Sequence, residues 1–143
     1  MTDLRHAEHR EGVWMRPANL PDDRHGDAFD TAFTQAERFR VSPVEDGLDL
    51  AASLWDLDGW STQATALLAA VKHLRRDVED GADTALAPSF LVLVEIVHHL
   101  GADPLLPPEL IAGDWPGPEL RNQFTSFELA WQQLLATWRR SLH

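Results

Sequence analysis

Residues 49–76, DLAASLWDLDGWSTQATALLAAVKHLRR, decide how the chain is read. Leu50, Leu54, Leu57, Trp60, Ala64, Leu67, Leu68, Val71 and Leu74 recur at intervals of three and four, the period that lines one face of an α-helix. Asp49 stands near the start, where a carboxylate suits the unpaired backbone amides of a first turn. The spacing predicts one amphipathic helix of about seven turns, with Gly59 as the place where it would bend.

Helical patterning continues downstream. An acidic linker, Asp77 to Asp83 with Gly81 inside it, leads to a second helix over Ala87 to Leu100. Pro88 is tolerated in its first turn and Gly101 is a natural stop. Its run Phe90-Leu91-Val92-Leu93-Val94 is apolar on every side, which predicts a central, buried helix. Five prolines then interrupt Asp103 to Pro118 and forbid continuous helix there. After Pro118 the stripe Leu120, Phe124, Phe127, Trp131, Leu134 and Trp138 predicts a last long helix, its large aromatics favouring an intramolecular core over a coiled-coil seam.

Upstream of the long helix the pattern is mixed. Residues 1–11 are polar and are expected to fray. Val13-Trp14-Met15 predicts a short strand, Phe29, Ala32, Phe33 and Ala36 a helix over Asp27 to Arg38, and Phe39, Val41 and Val44 a second strand. The predicted fold is therefore mainly α with a small α+β part: a flexible N-terminus (1–11), a strand-helix-strand unit (12–47) and a helical domain (48–143).

Composition narrows function more by exclusion than by signal. With 143 residues and 44% apolar content the chain suits one ordinary packed domain. A net charge of −11, with no cluster of basic residues, repels phosphate backbones, so direct DNA binding by this chain is not expected. The absence of cysteine removes disulfides, thiolate metal sites and cysteine nucleophiles. The N-terminus lacks an apolar signal core, and FLVLVEIV is short and interrupted for a membrane span, so a cytoplasmic protein is expected.

Three segments together carry a resemblance: Leu54-Trp55-Asp56-Leu57-Asp58, Asp103-Pro104-Leu105-Leu106-Pro107-Pro108-Glu109-Leu110, and Asp114-Trp115-Pro116-Gly117. In this order and spacing they resemble the C-terminal domain of PaaX-type repressors of phenylacetate catabolism. Arg10-Glu11-Gly12-Val13-Trp14-Met15-Arg16-Pro17 is similar to the middle domain of the same family. The resemblance implies a repressor with a winged helix-turn-helix head, a ferredoxin-like middle domain and a helical C-terminal domain linked to dimerisation and to sensing aryl-CoA thioesters. Neither the head nor the first half of the middle domain has a counterpart in these 143 residues. Glu95-Ile96-Val97-His98-His99 also stands where the family carries basic side chains, so the arginines that would meet CoA phosphates are absent there.

The resemblance implies an effector-sensing, dimerising portion of a regulator, acting as a homodimer or with a partner protein, with no cofactor but an aryl-CoA thioester or aromatic acid as effector. Expected ligand-binding residues are Trp55, Glu95, His98, His99, Trp115 and Arg121, because they interrupt otherwise apolar stripes with indole surface and polar groups. Beside Arg121, Lys72, Arg75 or Arg76 would have to meet the negative end of a thioester effector. Each residue has a commoner structural role: Trp115 as a plug between the last helices, Arg121 as a local ion-pair partner, and Glu95, His98 and His99 as a polar end to a buried helix. A competing reading, a small helical enzyme or metal-binding protein, rests on Glu95 with His98 and His99 at i, i+3 and i, i+4. No second Glu-x-x-His motif supports a di-metal site, and no nucleophile elbow, phosphate loop or zinc signature is present. His6 and His9 form a further histidine pair, in the segment expected to fray.

Overall fold

The computed structural model describes residues 5–20, 34, 36–42, 46–111 and 113–142. Among them are strands β1 (Ala7–Arg10) and β2 (Val13–Met15) and helices α1 (Gly47–Leu54), α2 (Leu57–Glu79), α3 (Leu86–Gly101) and α4 (Gly117–Ser141). Short 3-10 turns occupy Asp83–Ala85 and Pro108–Leu110. The mainly α class with a small β part is what the patterning indicated.

The chain forms two compact units. One contains residues 1–57 and 102–114, the other 58–101 and 115–143. Most of the proline-rich segment, residues 102–114, thus belongs with the N-terminal part, and not with the helices on either side of it in sequence.

In the first unit β1 and β2 form an antiparallel hairpin, pairing Ala7 with Met15, Glu8 with Trp14 and Arg10 with Val13. His9 is the extra residue of a bulge between Glu8 and Arg10. The Glu8 carboxylate accepts the Gly12 N–H across the turn at 3.1 Å. This corrects two expectations. The terminus expected to fray over 1–11 contributes a strand, and β2 finds its partner upstream, through the Glu11-Gly12 turn, instead of in Phe39 to Val44. Residues 39–42 carry no regular structure, and Phe39 is 79% exposed. The helix expected over 27–38 lies almost wholly outside the described residues, and 36–38 are not helical. A two-stranded hairpin is marginal alone; β1 packs against α1, and Ala7 and Ala51 are buried.

The proline-rich segment is held by side chains. Asp103, 1% exposed, accepts the Leu105 N–H on Oδ1 at 2.9 Å, and Asn19 Nδ2 donates to the Leu105 carbonyl at 2.8 Å. Leu105 has φ of 52°, a left-handed conformation that costs a non-glycine residue about 1–2 kcal/mol. Two side chains therefore hold the N–H and the carbonyl on either side of this left-handed residue.

The expected single helix over Leu50 to Leu74 is two helices. Trp55 turns extended at φ −129° and ψ 140°, closing α1, and its N–H bonds the Ala51 carbonyl at 3.0 Å. Asp56 then occupies the position before α2, where an acidic side chain favours a new helix start, and Asp58 follows in the first turn. The apolar period ran through the break because both helices use it. At the far end Gly81, φ 81°, makes the left-handed C-terminal stop: its N–H bonds Val78 O and the Ala82 N–H bonds Asp77 O, the paired bonds of a Schellman motif.

In the second unit α2, α3 and α4 share one core built from Trp60, Leu67, Val71, Ile96, Leu120 and Phe127 with their neighbours. Only the inner face of α3, Ser89, Leu93 and Ile96, is buried. Phe90, Leu91, Val94 and Val97 are 48–64% exposed, so the helix expected to be buried on all sides is covered on one. By length and composition alone Asp83–Gly101 would suffice to cross a membrane, which FLVLVEIV by itself did not suggest.

Two substitutions test this core. Phe127 is fully buried, and Phe127→Ala is expected to destabilise by about 3–5 kcal/mol in chemical or thermal unfolding. Ser89 is equally buried and its Oγ has no hydrogen-bond partner among the described residues. Ser89→Ala should therefore raise stability by about 1 kcal/mol, through relief of an unpaired hydroxyl and better helix propensity; a lowered melting temperature would refute that account.

Candidate functional site: an aromatic stack at the head of the helical unit

The last four carbonyls of a helix have no partner within it. At the end of α3 one of these, His99 O, accepts the Trp60 indole N–H at 3.2 Å. In return His99 Nε2 lies 2.9 Å from the Trp60 carbonyl. A carbonyl only accepts, so Nε2 carries the proton and the imidazole is fixed in orientation. The two rings stack with centroids 4.4 Å apart at 21°. Trp60 in the first turn of α2 and His99 in the last turn of α3 thus form a reciprocal clasp.

Trp115 adds a third layer, stacked on Trp60 at 4.5 Å and 16°. Its position follows from the two residues after it. A β-carbon at position 117 would stand 2.6 Å from Trp115 Nε1 and 3.1 Å from Arg121 Nη1, so only glycine lets the indole fold back over the start of α4. Pro116 precedes the helix and Pro118 sits in its first turn, which stiffens the same corner. The Arg121 guanidinium therefore lies beside the edge of Trp115. The arrangement offers a flat aromatic surface with a cation next to it, the chemistry that receives an aromatic ring bearing a negative group.

The expected residues separate into three sets. Trp115, His99 and Arg121 come together, around a Trp60 that patterning placed only in the core stripe. Glu95 and His98 are exposed on other faces of α3, and their side chains make no hydrogen bond or ion pair among the described residues. Trp55 belongs to the other compact unit, where it ends α1. The metal reading is not supported. His99 Nε2 is engaged by a carbonyl, Glu95 and His98 do not converge on it, and no group of three or more potential ligands occurs among the described residues. The signal for Trp60 in the sequence was weak: a tryptophan in a first helical turn, where the face toward a neighbouring helix end is shared between packing and polar contact.

The other expected cations are elsewhere. Arg75 donates to Gln123 Oε1 at 2.8 Å and Ser126 Oγ at 3.0 Å, meets Glu79 at 3.4 Å, and covers the Phe127 ring. It ties α2 to α4. Arg76 faces Asp80 at 3.6 Å on the surface. Lys72, Arg75 and Arg76 follow Trp60 by three turns or more, about 18–24 Å along α2.

Gly117→Ala is expected to push Trp115 off Trp60 and to cost about 1–3 kcal/mol. Tryptophan emission together with a thermal melt tests it; an unchanged spectrum and midpoint would remove the close approach as the reason for glycine.

Comparison with known proteins places this geometry. The family model for the PaaX-like protein C-terminal domain matches residues 55–140. Among solved structures the chain is similar to the uncharacterized protein Rv0674 from Mycobacterium tuberculosis, with 36% identity and a TM-score of 0.72 over 93% of this chain. That match covers 51% of Rv0674, so the chain spans about half the length of that protein. A search among curated proteins finds no match. The matched family domain begins at Trp55, the residue that closes α1, and runs through both the stacked corner and the core beneath it, so the chain belongs to the PaaX-like family.

Proposed function

We propose that the chain is the effector-sensing and dimerising portion of a PaaX-like transcriptional regulator, working in the cytoplasm, with a small aromatic acid as the effector. The observation that carries this reading is the Trp115 indole, stacked on Trp60 and flanked by the Arg121 guanidinium. An aryl group matches the indole surface, and a carboxylate matches Arg121. The distance of Lys72, Arg75 and Arg76 from this corner favours the free acid over a CoA thioester, whose phosphates would need those cations. DNA reading by a part other than these 143 residues is consistent with a net charge of −11 and with a relative twice as long.

Calorimetry with phenylacetate, phenylacetyl-CoA and free CoA tests the effector. Binding of phenylacetate that Arg121→Ala weakens at least tenfold is the expected result; heat from none of the three would leave a scaffold without a sensor. In a mobility shift at low salt the isolated chain is expected not to retard promoter DNA specifically, and sequence-specific retardation below micromolar protein would contradict the division of labour.

A further inference from the structure

We infer that the outer face of α3 is the surface through which two copies of this chain associate. The inference rests on the dimerising part of the function proposed above and assigns it to particular residues. A helix that is apolar all round is normally covered all round, yet α3 is buried only over Ser89, Leu93 and Ile96, with Leu86, Val92 and Leu100 partly covered beside them. Its opposite side presents Ala87, Phe90, Val94, Val97 and Gly101, which recur at intervals of three and four in a strict heptad pattern, with Leu91 and His98 beside them. Phe90 is 50% exposed, Leu91 64%, Val94 48% and Val97 56%.

Charge argues for a like partner. No side chain from Leu86 to Val94 is ionisable, in a protein of net charge −11. A basic partner would be drawn to the acidic surfaces, not to this neutral stripe. Two acidic copies, by contrast, meet with least repulsion where neither carries charge. Size distribution argues the same way. An isologous contact requires a face that complements itself, and an antiparallel crossing with Val94 on the two-fold axis sets Leu91 of each copy against Val97 of the other. The same crossing opposes Phe90 to His98, and the small residues Ala87 and Gly101 to each other at the ends. The four large side chains expose roughly 300–400 Å² per copy, the size of a functional patch but less than a standard interface of about 800 Å² per partner. The association is therefore reversible, with a dissociation constant in the micromolar range, and it tightens as salt screens the mutual repulsion.

Sedimentation velocity of the full chain across a concentration series, at low and high salt, reads the association. Val94→Glu places a charge on the axis at an exposed position, and is expected to weaken it at least tenfold with an unchanged circular dichroism spectrum. Leu129→Glu, an exposed apolar residue on α4, should leave it unaltered. Because the chain has no cysteine, oxidised Val94→Cys should form a covalent dimer, whereas Ala66→Cys on the exposed side of α2 should not. A wild-type dimer that survives Val94→Glu and is not trapped by Val94→Cys would overturn this surface while leaving the dimer standing. A wild type that stays monomeric at several hundred micromolar would overturn both. A wild type that is monomeric in solution but pellets with phosphatidylcholine vesicles, unless Val94 is Glu, would give the stripe to lipid and overturn the inference.

Discussion

Both ends of α3 are held by an indole N–H, and the helical unit depends on that pair of bonds. Trp131 donates to Leu86 O at 2.9 Å at the start of the helix, and Trp60 donates to His99 O at its end. A helix that is apolar over most of its surface has little to fix its position along or about its own axis, since Leu, Val and Ile side chains tolerate sliding. Directional bonds at the two termini supply that register. They also bring their own packing: Trp131 meets Phe90 at 5.6 Å between ring centroids, and Trp60 meets His99 and Trp115. One residue type therefore acts as wedge and donor together, which neither phenylalanine nor serine does.

The segments that point to the family are local solutions of backbone problems. In Asp114-Trp115-Pro116-Gly117 the glycine leaves room for the indole, and the proline directs the chain into α4. In Asp103-Pro104-Leu105 a buried carboxylate holds the amide of a residue in left-handed conformation. In Trp55-Asp56 an extended residue and an acidic one separate two helices that share an apolar period. Each motif marks a place where regular structure stops, and this explains why short strings so rich in Trp, Asp, Pro and Gly identify the fold better than the longer apolar stripes do.

Legibility followed from the same physics. Helical stripes were readable because burial imposes their period, and the last helix and the proline-rich interruption stand where Leu120 to Trp138 and the five prolines put them. The break at Trp55 was not readable from period alone, since Leu54 and Leu57 continue the spacing across it. The hairpin was half legible: Val13 to Met15 alternates too briefly to reveal whether its partner lies before or after it, and Gly12 was the overlooked turn. The exposure of α3 was hidden for a different reason. Composition reports how apolar a helix is, and not which neighbours are present to cover it. At the candidate site Trp115, His99 and Arg121 were legible as polar or aromatic interruptions, whereas Trp60 looked like core because nine-tenths of it is.

The stack has an optical consequence. Two indoles held nearly parallel at 4.5 Å have coupled electronic transitions, and an imidazole stacked at 4.4 Å on one of them perturbs that indole further. Near-ultraviolet dichroism and the emission of Trp60 are therefore set by the spacing of three rings that belong to the start of α2, the end of α3 and the approach to α4. A shift of any one of those segments changes the signal without any label being introduced, so the protein carries its own gauge of the corner where its helices begin and end.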